Sequence, residues 1–167
     1  EEVVGHWSRN ELGLAREKIG AIREFHFKII ESLFEEPATI KSDVQEFLNQ
    51  VSAGIERKEL SYSEAYDFIV HHGELISTKI IAAYVGQVTP TVWQDTRLLI
   101  HTDDQFKRAT VRWDETTTAI QNRIDLGKVN VVQGFIGATA SGLPTTLGRE
   151  GSDYTGADFA FCLGADS

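Results

Sequence analysis

Apolar positions in the first half of the chain recur every three to four residues, the period of a helix that buries one face. From Leu12 to Phe34 they fall at Leu12, Ala15, Ile19, Ile22, Phe25, Ile29, Ile30 and Phe34, and Glu35, Glu36 and Pro37 close the segment. A second helix is expected over residues 42–55, capped by Ser42, with Val44, Phe47, Leu48 and Val51 on one face. A third begins at Ser61 or Ser63 and ends at Gly73, and a fourth, mostly buried, runs from Glu74 to Gly86. The texture then changes. Residues 88–104 carry β-branched and aromatic side chains around Pro90 and read as a short strand and a loop leading to Asp103 and Asp104. Trp113 and Asp114 open a short helix over 113–125. "KVNVVQGFIGA", residues 128–138, is the strongest strand, a nearly continuous apolar run suited to cover on both faces. Residues 141–152 read as a loop, and "DYTGADFAFCLGA", 153–165, as an almost wholly apolar buried helix. Strand, glycine loop and buried helix form the layer pattern of α/β proteins, whose ligands sit at the carboxyl ends of the strands.

Composition narrows the function. With 167 residues, 41% hydrophobic and 25% charged, the chain is long and apolar enough for one folded domain or a piece of a larger one. Its net charge of −9 and the absence of any basic run argue against nucleic acid and anionic membranes as partners. No apolar stretch approaches the ~18 residues that cross a bilayer and no leader pattern opens the chain, so a cytoplasmic location is expected. Cys162, the single cysteine, sits in apolar "FAFCLGA" and reads as a buried inert thiol. Methionine is absent and the chain opens at "EEVVGHW", so it is expected to begin inside a longer protein.

Three glycine patterns invite chemistry. "GATASG", Gly137 to Gly142, has phosphate-loop spacing, but Leu143 and Pro144 stand where Lys and Ser/Thr are required. No G-x-G-x-x-G occurs. There remains "GREGSD", Gly148 to Asp153. Ser152 can cap the following helix while Gly151 admits a ligand to the backbone, which would turn free N–H groups and the positive end of the helix dipole toward an anion. Arg149 offers a planar fork for a carboxylate or phosphate, and Asp153 can hold a cationic lysine or a metal. A capped helix with an incidental ion pair accounts for the same residues, and chemistry alone leaves both readings open. His71 and His72 beside Glu74 point about 100° apart on a helix and read as a helix-end pair rather than a metal site. His101, Asp103 and Asp104 read as a polar loop, and no metal site is expected.

Taken together, "VVQGFIGATASGLPTTLGREGSDYTGA" resembles the signature of aspartate kinases in the amino acid kinase family. "HGELISTKIIAAYV" is similar to that family's G-E-x-x-S helix and "WQDTRLLIHTDDQFKRA" to its W-x-D-x-R-x-x-I-x-T-D segment, in the same order. The resemblance covers residues 71–167, and more loosely the helices before them. It implies the three-layer αβα sandwich of that family, present here incompletely as a helical part, 1–86, and a strand-loop-helix part, 87–167. It also implies ATP-dependent phosphorylation of the side-chain carboxylate of L-aspartate, a phosphotransfer to a carboxyl group at the head of lysine, threonine and methionine synthesis, with ATP and Mg2+ as cofactors. By resemblance Arg149 binds the substrate's α-carboxylate and Glu74 its α-amino group, with Ser152 in the same pocket. Asp153 orients the phosphate-binding lysines at the reacting centre, and Gly134, Gly151 and Thr146 lie near the phosphoryl group. The family's K-F-G-G strand is not present, since none of the lysines at 18, 28, 41, 58, 79, 107 and 128 precedes Phe-Gly-Gly. An incomplete catalytic domain, inactive alone and homo-oligomeric in its parent, is therefore expected; the alternatives are a non-catalytic fragment or a kinase for glutamate or a nucleotide monophosphate. Leu75, Glu150 and Gly156 depart from residues frequent in the family.

Overall fold

A computed structural model describes residues 1–165. Four helices come first: α1 (Glu2–Ser8), α2 (Leu12–Leu33), α3 (Ala38–Gly54) and α4 (Tyr62–Val85). The strands follow: β1 (Thr91–Trp93), a 3-10 turn at Thr96–Leu98, and β2 (His101–Thr102). After α5 (Trp113–Arg123) come β3 (Val129–Val131), β4 (Ile136–Thr139), β5 (Pro144–Thr146) and α6 (Gly151–Leu163). The class is α/β. β1 and β3 pair in parallel, Thr91 opposite Val129 and Trp93 opposite Val131. A second sheet, ordered β2-β4-β5, pairs β2 and β4 in parallel and β4 and β5 antiparallel.

Several boundaries differ from the sequence expectation, each for a physical reason. α3 starts at Ala38, with Pro37 rather than Ser42 at its mouth, because a proline there has no intrahelical N–H bond to lose. The expected third and fourth helices are one rod of 24 residues, about 36 Å long, that passes straight through Gly73. Its start is a capping box: Ser61 Oγ accepts from the Glu64 N–H and the Ser61 N–H donates to the Glu64 carboxylate. An interior glycine costs about 1 kcal/mol of helix propensity. Burial of the flanking Ile69, Leu75, Ile76 and Ile80 outweighs it.

"KVNVVQGFIGA" is not one strand. β3 and β4 belong to different sheets, and the link between them turns at Phe135, whose φ of 73° is rare for a bulky residue. The fully buried Gln133 replaces ladder bonds with side-chain ones, accepting from the Thr96 N–H and donating to Thr78 Oγ1 and the Gln94 carbonyl. Cover on both faces holds for β4, buried at all four residues, but Val129 of β3 is exposed. The expected loop 141–152 contains β5, buried throughout at the sheet edge where Pro144 forfeits no ladder bond. α6 buries only one face, Gly151, Thr155, Asp158 and Cys162, and leaves Tyr154 and Phe161 in solvent.

The apolar core has two parts. One gathers α1 to α4 around Ile30, Val44, Leu48, Ile55 and Ile76; the other joins Leu99, Ile100, Ile120 and Cys162 beneath α5 and α6. α4 borders both. Its polar residues Asp67, His71, Glu74 and Thr78 are spaced 4-3-4, which places them on one stripe of the helix.

Candidate functional site

The α4 stripe faces the strand-bearing half, and three of its four members bond to it. Asp67, fully buried, accepts from the Lys107 N–H (2.8 Å) and the Thr146 N–H (3.0 Å) at one oxygen and from the Thr146 hydroxyl (2.6 Å) at the other. Burial pushes its carboxyl pKa up, against the pull of those donors. Arg97 donates to His71 Nε2 at 3.2 Å while holding Asp95 in a tight ion pair. Thr78 Oγ1 accepts from Trp93 Nε1 and Gln133 Nε2. Glu74, between them, bonds through its carboxylate to no described residue, and half-burial raises its pKa. A desolvated acid in this position gains from any cation that reaches it.

Gln133 leads directly into the second wall. It is followed by Gly134, where an added Cβ would lie 2.7 to 2.9 Å from Oγ, Cβ and Cα of Ser152. Only hydrogen fits there, so the β3–β4 link touches the first turn of α6. The Phe135 N–H donates to Thr155 Oγ1 and its carbonyl accepts from the Leu147 N–H, which locks the same link to α6 and to the loop after β5. This junction lies at the carboxyl ends of β1 and β3 and at the amino end of β4.

The start of α6 differs from expectation in detail. Ser152 does not cap it: the helix is entered through Glu150 in the left-handed region, φ 61°, with no side-chain cap, and Ser152 sits inside the first turn. Gly151 is buried, and the atoms its Cβ would meet are the Phe135 ring at 2.8 Å and Leu147 at 3.1 Å, so its smallness serves internal packing rather than approach by a ligand. Arg149 and Asp153 are exposed, and among the described residues neither makes a side-chain hydrogen bond or ion pair. Gly151 and Asp153 give their N–H groups to the Gly148 and Glu150 carbonyls, while the Ser152 N–H has no described acceptor. An unpaired guanidinium beside the amino end of a 13-residue helix is suited to an anion. Thr146 stands apart from the other expected residues. It is fully buried, its N–H and hydroxyl go to Asp67 and its carbonyl to the Ala109 N–H, so all of its polar groups are spent on supporting the loop.

The other clusters resolve plainly. His71 and His72 are buried mid-helix rather than at a helix end, their rings 4.0 Å apart. Burial drives both toward neutrality, His72 down to about 4. Asp103 closes its own loop by accepting from the Gln105 and Thr110 N–H groups. Cys162 is buried. No group of three or more His, Cys, Asp or Glu among the described residues could hold a metal, and no described helix is long and apolar enough to cross a membrane.

The sequence profile of the amino acid kinase family matches residues 14–167. Lysine-sensitive aspartokinase 3 of Escherichia coli is 35% identical over 161 residues, 93% of this chain and 35% of that protein. Chloroplastic aspartokinase 1 of Arabidopsis thaliana is 30% identical over 89% of this chain and 27% of its own length. The crystal structure of E. coli aspartokinase III in complex with aspartate and ADP superposes with a TM-score of 0.83 at 33% identity, covering 92% of this chain and 35% of that one. The chain therefore spans about a third of the length of the curated relatives it matches.

Proposed function

This chain belongs to the amino acid kinase family, and we propose that it is the central part of the catalytic domain of an aspartate kinase, carrying the subsite for the amino acid. One observation carries the reading: an unpaired half-buried carboxylate, Glu74, and an unpaired guanidinium, Arg149, belong to two walls joined through Gln133, Gly134 and Ser152. A zwitterion needs one cationic and one anionic partner. Arg149 would clamp the α-carboxylate with two parallel bonds and Glu74 would receive the α-ammonium, which leaves the side-chain carboxylate of L-aspartate free to meet the γ-phosphoryl group of ATP. The bond from phosphorus to ADP breaks as the bond to the carboxylate oxygen forms, with no covalent enzyme intermediate, so the chain's part is alignment. Ser152 and the first turn of α6 lie beside that path, with Asp153 facing solvent to orient cationic groups.

The nucleotide and Mg2+ do not fit the described residues. Lys18, Lys41, Lys79 and Lys128 are paired with carboxylates and Lys107 lies over the rings of Tyr62 and Tyr66; Lys28 and Lys58, with no described partner, lie on α2 and just after α3, and no acidic cluster among the described residues holds a divalent ion. Binding of ATP and Mg2+ is assigned to other segments of a longer, homo-oligomeric protein. The test is hydroxamate trapping of acyl phosphate in that protein. Unmodified enzyme is expected to give aspartyl hydroxamate only with ATP and aspartate together. Arg149→Ala is expected to raise the aspartate KM at least about tenfold, with the ATP KM within about twofold. Equal damage to both substrates would remove Arg149 from the aspartate subsite.

A further inference from the structure

Helix α4 carries two acids seven residues apart, and seven residues is close to two full turns, so Asp67 and Glu74 project from the same face about 10 Å apart along the axis. Glu74 carries no side-chain bond to a described residue. Asp67 carries three, and all reach the segments that lead to Arg149. Through Thr146 it holds the end of β5, three residues before Arg149; through the Lys107 N–H it holds the turn on which the next residues rest. The Ala109 N–H closes the ring by donating to the Thr146 carbonyl. Gly148, φ 81°, sits against the Lys107 carbonyl and Arg108, and Arg149 follows at once. No apolar residue could make these bonds, and no other described side chain bonds to the Thr146 N–H or hydroxyl.

We propose that Asp67 is a positioning residue for the amino-acid substrate: by clamping the end of β5 and the Lys107 turn to α4, it sets the separation between the carboxylate of Glu74 and the guanidinium of Arg149. The inference rests on the aspartate-kinase reading and adds to it a residue that touches no substrate. The two ends of the zwitterion are then gauged by one rigid helix, with Glu74 built on it and Arg149 tethered to it. Loosening such a pair weakens the hold on both charged ends of a small substrate.

Two measurements separate the clamp from the activity. In the first, hydrogen exchange of the chain itself is followed in Asp67→Ala and Asp67→Asn. The alanine variant is expected to speed exchange of the hydrogen-bonded amides of Leu147, Gly151 and Asp153 at least tenfold while those of α2 stay unchanged. The asparagine variant should match the original chain, because its amide oxygen can accept both N–H groups and its nitrogen can donate to Thr146 Oγ1. Should Asp67→Ala fail to fold, Thr146→Val, which removes only the 2.6 Å bond, replaces it with a smaller effect of the same pattern. Unchanged exchange at Leu147, Gly151 and Asp153 overturns the proposal. In the second, made in the longer protein, Asp67→Ala is expected to raise the aspartate KM about tenfold with kcat and the ATP KM within about twofold, and Asp67→Asn to restore it. A parallel loss in all three constants, or an unchanged aspartate KM alongside faster exchange, reduces Asp67 to a structural acid and overturns the positioning role. If the unmodified longer protein gives no aspartyl hydroxamate, the kinase reading fails, and the link from Asp67 to a substrate falls with it even where the exchange result holds.

Discussion

At residue scale, Asp158 is out of place. It is 5% exposed, its Oδ2 meets no donor, and burial pushes its carboxyl pKa up. An unsatisfied buried carboxylate costs about 1–3 kcal/mol, whereas an apolar side chain there would lie among Trp113, Tyr154 and Phe161. Asp158→Leu is therefore expected to stabilise the chain by about 1–2 kcal/mol, which for this size raises the melting temperature by roughly 2–8 °C. The size of the effect depends on pH. A carboxyl whose folded pKa is raised destabilises above that pKa and is relieved as pH falls through it, so the advantage of leucine should shrink in melts taken toward pH 4. An unchanged or lower melting temperature at pH 7 would show that Asp158 is satisfied. The same scale explains one departure noted in the sequence. Glu150 takes the place of a frequent glycine, and its φ of 61° shows why glycine suits the position, since a left-handed residue with a Cβ costs roughly 1–2 kcal/mol.

At the scale of elements, the decisive junction is that of the β3–β4 link with the first turn of α6. A methyl group on Gly134 would fall 2.9 Å from Ser152 Cα, a backbone atom that cannot swing aside. Gly134→Ala is expected to destabilise the chain by about 1–3 kcal/mol in urea unfolding, the usual result of overpacking. Ser152→Gly in the same chain should recover part of the loss, because it removes the Oγ and Cβ atoms that the new methyl meets at 2.7 and 2.8 Å and leaves only the backbone in its way. Additive losses would show that the two residues do not touch. Most helices were legible at this scale: α2, α3 and the paired runs of α4 follow the apolar period, α5 its Trp113–Asp114 start and α6 its glycine entrance, whereas the seven-residue α1 is too short to show a period. The break in "KVNVVQGFIGA" was not, because apolar period cannot reveal that a buried Gln133 side chain would take over the strand's hydrogen bonds. Reading Gly73 as a helix end had a further effect. It cut the 4-3-4 series Asp67, His71, Glu74, Thr78 in two, and with it the signal that would have brought Asp67 and Thr78 to notice.

For the whole molecule, the seam between the helical and strand-bearing halves is polar, and polarity makes it sensitive to acid. Glu74, Arg149, Ser152 and Gly134 are candidates because they sit in ordered motifs, whereas this seam is built from residues far apart in sequence, Asp67 with Thr146 and His71 with Arg97. His71 and His72 stand at its centre. His71 Nδ1 bonds to the Asp67 carbonyl and Nε2 accepts from the Arg97 guanidinium; His72 Nδ1 bonds to the Phe68 carbonyl, with Gln50 from α3 at its Nε2. A proton on either ring would lie in a dry site beside Arg97. Both folded pKa values are lowered, His72 to about 4, against about 6.5 for an unfolded histidine. Below pH 6.5 the unfolded chain binds protons that the folded chain refuses, so stability falls as pH drops from 6.5 toward 4, by up to about 1.4 kcal/mol per unit for each ring. Asp67, Glu74 and Asp158 act in the opposite sense, since their raised pKa values let the folded chain take up protons first. The histidine effect sets in as pH falls through about 6.5, and the urea midpoint is expected to fall between pH 7 and 5. His72→Leu, which keeps the ring site filled without a titrating group, should remove about half of that fall. A midpoint that is flat from pH 7 to 5, or one that falls as steeply in His72→Leu, would mean that the two rings keep access to water and that the seam is not the dry junction described.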